Sequence, residues 1–335
     1  MSRIHWPHVL RTGPGFLLAA GLTLAAAVPL MVEYQKTEGK KAEATTAETT
    51  TADDKNAKDD KPASKEYEVE FQQDVVYGNA AGEELTLDLA TPKGIETNVP
   101  GLVFIHGGSW QGGDKIDFSE QAKEAAAAGY VAISINYRLA PKHLFPAQIE
   151  DCKCAVRWMR AKAAELNVDR DRIGAFGWSS GAHLAMLLGV MDSSDGLEGD
   201  GGARDQSSKV QAVVSYSGAT HLIGDFSIAS QKILKIFLGG RMDEQSEIYL
   251  RASPIRYVNA GDSPMLLFAG TNDGLVDYDQ AFQMATALTD AGVPGRVEFL
   301  IGASHVFSPR DMTWTRRDAM EFLGEILRPG EQEAK

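Results

Sequence analysis

From about Tyr67 onward the chain alternates short apolar runs with amphipathic segments of ten or more residues, and this rhythm restricts the fold more than any other feature. The runs are EYEVEF, LTLDLA, LVFIHG, VAISIN, RIGAFG, VQAVVSYSG, PMLLFAG and VEFLI. Short apolar stretches rich in β-branched and aromatic residues, each followed by helical periodicity, are the strands of β-α-β units. Their repetition predicts an α/β fold, a mainly parallel eight-stranded sheet with helices on both faces. No helical pattern separates the first two runs, so they are expected to form an antiparallel edge.

A chain of 335 residues, 44% of them hydrophobic, can bury one large core, and a single catalytic domain over residues 67–330 accounts for it. Forty-six acidic residues against 33 basic ones give a formal charge of −13, which repels nucleic acid and offers anionic lipid no polybasic face. The expected partner is a neutral small molecule or polymer. The two cysteines, Cys152 and Cys154, lie in a stretch from Ala147 to Leu166 with helical apolar spacing. Positions two apart on a helix face away from each other, so these thiols cannot bridge while the helix stands, and Cys152 reads as core filler.

The two ends of the segment before Tyr67 differ in character. Arg3 and Arg11 precede an uncharged run from Thr12 to Val32, the layout of a signal peptide, with small residues at Ala25 to Ala27 for cleavage. The run also matches the roughly 20 residues that cross a bilayer, so residues 1–32 are expected to be a signal peptide or a membrane anchor. Either one exports the domain, to the periplasm, the extracellular space or the outer face of a membrane. Residues 33–66, rich in Thr, Ala, Glu, Lys and Asp, read as a disordered linker.

Two stretches interrupt the β-α rhythm. Asp192 to Ser208 is a polar loop rich in Gly and Asp. Phe226 to Tyr257 carries short helical patterns between two strands and is read as a small cap insertion near the site, with ordinary connecting helices as the competing reading.

The chemistry gathers around Gly177-Trp178-Ser179-Ser180-Gly181, which follows the strand RIGAFG and precedes the helical AHLAMLLGV. A serine on a sharp strand-to-helix turn, flanked by glycines that let backbone approach backbone, is the expected nucleophile. It needs a base, and the base needs a carboxylate to hold its tautomer. Of the histidines that follow Ser179, only His305 comes after the last predicted strand, in Gly302-Ala303-Ser304-His305. Asp273, in the loop after PMLLFAG, is the expected orienter. Asp277 and Asp279 are rivals, but they sit where the next helix begins and suit its cap and dipole. The turn His106-Gly107-Gly108-Ser109-Trp110 after LVFIHG is placed to supply backbone N–H groups to an oxyanion, and Ser180 supplies another. Trp110 and Trp178 flank these groups and are candidates both for substrate contact and for core packing, with Ser109 a further candidate contact.

HGGSWQGGDK, NYRLAPKHLFPAQIEDCKCAVRWM, GWSSGAHLA, ASPIRYV, AGTNDGLVDY and GASHVF together resemble the α/β-hydrolase esterase/lipase group, which includes hormone-sensitive-lipase-like esterases and bifunctional acetylxylan-feruloyl esterases. The resemblance runs from about Asp74 to Leu327. It implies the α/β-hydrolase fold, the triad Ser179, Asp273 and His305, an acyl-enzyme, and no metal or organic cofactor. It also implies oxyanion donors at Gly107, Gly108 and Ser180. Two departures stand out: Ser109 where many members have glycine, and WSSG where SAGG is usual. The expected activity is carboxylester hydrolysis, of short acyl groups or of acetyl or feruloyl groups on polysaccharide. An exopeptidase or acylaminoacyl peptidase, and an inactive binding protein of the same fold, are the alternatives.

Overall fold

The computed structural model describes residues 66–329. The expectations for residues 1–32 and, Glu66 excepted, for the linker 33–66 lie outside the described residues. In chain order the elements are β1 (Val69–Ala80), β2 (Glu83–Pro92), β3 (Val99–Ile105), α1 (Ser119–Ala127), β4 (Val131–Ile135), α2 (Ala147–Ala161), β5 (Val168–Trp178) and α3 (Ser180–Val190). Then follow β6 (Ala212–Tyr216), α4 (Ile228–Leu238), α5 (Ser246–Arg251), β7 (Met265–Gly270), α6 (Tyr278–Asp290), β8 (Gly295–Leu300) and α7 (Pro309–Leu327).

The strands form one sheet in the order β1-β2-β4-β3-β5-β6-β7-β8. β1 and β2 pair antiparallel, and β2 meets β4 antiparallel. From β4 to β8 every neighbour is parallel. The β1–β2 edge follows from its connection: Ala80 pairs with Glu83 across Ala81 and Gly82, and both turn residues have positive φ, the twist that suits a tight hairpin.

Strand alternation distributes the core onto two faces. Val103, Ile105, Ala175 and Val213 point to one side, where α2, α3 and α6 supply Ile149, Val156, Leu184, Met284 and Leu288. Leu102, Phe104, Phe176 and Val214 point to the other, against Ala122 of α1 and Phe322, Leu323 and Leu327 of α7. Buried on both faces, β3 to β7 read as nearly continuous apolar runs, as parallel strands do.

The helix expected over Ala147 to Leu166 is two pieces, α2 and a single turn at Ala163–Leu166, with Lys162 out of helical geometry between them. Asn167 closes the second piece in the left-handed region, which asparagine tolerates better than most residues. Cys152 and Cys154 are both buried and free. Cys154 is covered because the polar loop lies on its side of the helix, with Gly201 so close that an added Cβ would stand 3.0 Å from the sulfur. That loop is docked by charge: Lys153 Nζ and Arg157 Nη1 each reach Glu198 at 2.8 Å.

A second buried ion pair fixes the start of α2. Arg138, just after β4, donates through Nε and Nη2 to both oxygens of Asp151, at 2.7 to 3.0 Å. Removing one partner of such a pair strands a buried charge. Asp151→Ala is therefore expected to destabilise the domain by about 3–5 kcal/mol, read as a lowered urea midpoint, while exposed pairs such as Lys162–Glu165 cost under about 1 kcal/mol.

Candidate active site

β5 delivers the chain to Ser179, whose φ of 53° and ψ of −117° place an L-residue in a sparsely populated region. Backbone contacts hold it there: Ser179 N–H donates to Tyr216 O at 2.7 Å, and His183 N–H donates to Ser179 O at 3.0 Å. The flanking glycines are required by space. A Cβ on Gly177 would lie 2.2 Å from Gly181 O, and one on Gly181 would lie 2.0 Å from Ile105 O.

His305 follows β8 and lies beside the serine, its Nε2 2.9 Å from Ser179 Oγ. Its Nδ1 lies 2.7 Å from Asp273 Oδ2. A carboxylate only accepts, so Nδ1 carries the proton and Nε2 presents a lone pair to the hydroxyl. Asp273 Oδ1 is occupied in turn, accepting the N–H groups of Leu275 and Val276 at 2.8 and 3.0 Å. Gly270 permits this convergence, since a Cβ there would stand 2.4 Å from Ala303 O in the histidine loop.

Two of the competing groups, Asp277 and His183, have their side chains engaged elsewhere. Asp277 caps α6 by accepting from Asp279 N–H at 2.9 Å. His221 meets Gln280, donating its backbone N–H to Gln280 Oε1. His183 is fully buried in α3, its Nε2 donating to Ala252 O at 2.6 Å.

The glycine turn lies against the nucleophile. A Cβ on Gly107 would be 3.1 Å from Trp178 O and 3.5 Å from Ser179 Cβ, and Gly108, at φ 115°, has room for none. Ser109 and Trp110 continue the turn with φ of 58° each, so Ser109 adopts a conformation that glycine would hold with less strain. Ser180 opens α3, where a backbone N–H has no helical acceptor and the helix dipole adds positive potential. Behind the turn, His106 stacks on the Tyr137 ring at 4.3 Å, and Tyr137 Oη donates to His106 O at 3.0 Å. Tyr137, which the sequence patterns do not single out, thus supports the turn and sits 3.5 Å from Ser180 Oγ.

Ser109, Trp110, Ser179, Ser180 and His305 border a cavity of about 40 Å³. Its remaining wall is mostly apolar: Ala219, Phe226, Ile233, Leu234, Leu275 and Val276. Phe226, Ile233 and Leu234 come from the segment read as a cap, the last two from α4 and Phe226 from the loop before it, and they share the cavity with the serine. Individual wall residues escaped the sequence reading because aliphatic side chains at helical spacing look alike whether they face a core or a cavity. The two candidate tryptophans separate. Trp110 borders the cavity, whereas Trp178 does not: its place on β5 turns it to the opposite face of the sheet, where it stacks on Tyr216 and packs against Phe307. Trp178 is therefore a packing residue, which corrects its candidacy as a substrate contact. Among the described residues no cluster of three or more His, Cys, Asp or Glu is arranged to hold a metal ion.

A family profile described as BD-FAE matches residues 87–288. Esterase LipC of Mycobacterium tuberculosis is 29% identical over 272 residues, covering 78% of this chain and 66% of its own, so the chain spans just under two thirds of that relative. Among solved structures, a truncated carbohydrate esterase from gut microbiota superposes with a TM-score of 0.64 at 25% identity, over 78% of this chain and 99% of that one. Esterase 2 of Thermogutta terrifontis, phosphonylated by cyclosarin, gives 0.64 at 29% identity, over 79% of this chain and 94% of its own, and the same esterase has been solved with propionate bound.

Burial holds both His183 and His106 below the ordinary histidine value of 6.5, His183 at about 4. The unfolded chain therefore takes up protons as the pH falls through 6.5 while the folded chain does not, so stability declines with acidification until His183 itself titrates. Between about pH 6.5 and pH 4 His183 is expected to contribute a loss on the order of 3 kcal/mol. Denaturant titrations at each pH check this: His183→Gln should flatten the slope across that window.

Proposed function

This chain belongs to the BD-FAE family, and from that premise we propose that it is a serine carboxylesterase working through an acyl-enzyme on esters with short acyl groups. One observation carries the proposal: Ser179 Oγ, His305 and Asp273 form a continuous hydrogen-bonded line, 2.9 Å and then 2.7 Å, opening into the cavity. Esterase relatives and esterase structures support the same reaction class.

His305 Nε2 accepts the Ser179 proton as Oγ attacks the ester carbonyl carbon, and Asp273 stabilises the resulting imidazolium. The N–H groups of Gly108 and Ser180, with Gly107 shaping the turn, face the developing oxyanion. Collapse of the tetrahedral adduct breaks the bond to the alcohol oxygen, which takes the proton from His305 and leaves. Water then attacks the acyl-Ser179 carbonyl with His305 as base and releases the acid.

The cavity beside Ser179 is taken as the acyl side, and its wall of Ile233, Leu234, Leu275 and Val276 suits a short apolar acyl group such as acetyl or propionyl. The carbohydrate esterase neighbour supports carbohydrate esters as the natural class. Arg3, Arg11 and the uncharged run from Thr12 to Val32 support export, with the domain acting outside the cytoplasm or tethered at a membrane.

A fluorophosphonate probe is expected to label Ser179, and Ser179→Ala to abolish labelling. An unlabelled wild type would favour an inactive binding protein, and faster cleavage of aminoacyl anilides than of p-nitrophenyl acetate would favour a peptidase. Asp273→Asn is expected to lower kcat by roughly 10⁴-fold by disfavouring the working tautomer of His305. Ile233→Ala and Leu234→Ala are each expected to raise the butyrate-to-acetate ratio of kcat/KM by roughly tenfold, because each removes enough wall to admit the two methylenes by which butyrate exceeds acetate.

A further inference from the structure

We infer that His183 is a positioning residue for the oxyanion turn, acting through the Trp110 indole. This inference rests on the esterase reading of Ser179 and extends it to a buried imidazole that the reaction itself does not use.

Trp110 Nε1–H donates to His183 Nδ1 at 3.2 Å, and His183 Nε2 lies 2.6 Å from Ala252 O. An indole N–H only donates and a carbonyl only accepts, so the two partners leave one assignment for the imidazole: neutral, with its hydrogen on Nε2. All three groups are buried, with Trp110 5% exposed and His183 and Ala252 fully covered. The indole also stacks on Phe237 of α4, with ring centroids 4.1 Å apart and planes 6° apart. Its orientation is thereby fixed in two directions, by the hydrogen bond in its own plane and by the phenyl ring above it.

That rigidity acts where the backbone is strained. Ser109 and Trp110 both hold φ of 58°, a conformation that non-glycine residues keep only when their surroundings impose it. Trp110 is the last residue of this pair, and its side chain is the buried anchor, since Ser109 faces the cavity. The glycine turn therefore keeps its place beside Ser179 only while the indole stays seated. His183 is itself joined to the nucleophile turn through its N–H bond to Ser179 O. One imidazole thus ties three pieces whose relative placement sets oxyanion geometry: the turn that bears the amides, the helix that bears the serine, and the segment that covers the cavity.

A residue of this kind changes kcat more than KM, because the oxyanion exists only in the transition state. The test is p-nitrophenyl acetate kinetics on the purified protein for the wild type, His183→Leu, His183→Gln, Trp110→Phe and the double variant His183→Leu/Trp110→Phe. His183→Leu is expected to lower kcat about tenfold with KM changed by less than about threefold. His183→Gln is expected to recover most of the loss, because its amide places an acceptor and a donor one atom apart, as the imidazole does. Trp110→Phe, which keeps an aromatic ring but loses the N–H donor and part of the indole's buried volume, should cost at least as much as His183→Leu, and the double variant no more than Trp110→Phe alone. An unchanged kcat in His183→Leu, additive losses in the double variant, or a folded His183→Gln as slow as His183→Leu would each overturn the inference. If His183→Leu fails to fold, Trp110→Phe decides alone, and wild-type kcat in that variant would be the contrary result. A wild type that takes no fluorophosphonate label removes the esterase reading and this inference with it, whereas an active wild type with indifferent variants removes the inference alone.

Discussion

The site depends on backbone meeting backbone at the end of β5. With no side chain at Gly177 or Gly181, the first turn of α3 settles against the carbonyls of Ile105 and His106 at the end of β3. That single approach places the serine turn beside the glycine turn, because β3 and β5 are neighbours in register, Ile105 opposite Gly177. Ser179 and the amides of the glycine turn come together before any side chain is considered. A methyl group at Gly181 would push α3 off the sheet and separate them.

His305 and Asp273 reach the same place by the same logic. β7 and β8 are parallel neighbours, with Gly270 opposite Leu300, so the loops leaving their ends lie side by side. Gly270 again makes the room. The sheet thus presents its reacting groups from the ends of β5, β7 and β8 on one rim, where a parallel sheet collects its loops.

The fold was legible in the sequence because its signals were local and repeated. Seven strands lie on the apolar runs that suggest them, β1 starts within EYEVEF and runs on to Ala80, and the β1–β2 edge follows from the absence of a helix between them. Ser179, Asp273 and His305 were legible because each sits in a short turn after a strand, and Asp277 was separable because its place before α6 suits a cap. Trp178 was not legible: adjacency to the serine says nothing about which face of the sheet a side chain takes, and strand alternation sends it to the side of Phe307. The burial of Cys154 was hidden for a related reason, since it depends on what packs against a helix rather than on its own periodicity. The docking of the polar loop by Lys153, Arg157 and Glu198 joins residues more than 40 positions apart, beyond the reach of local pattern.

The stretch covering the cavity enters between β6 and β7, whereas the serine, the carboxylate, the imidazole and the glycine turn all come from outside it. It contributes walls and no proton carriers. Change among the side chains that wall the cavity, such as Ile233 and Leu234, can therefore retune which acid is accepted, whereas Phe237 and Ala252 of the same stretch seat Trp110 and His183 and are bound to the geometry of the glycine turn.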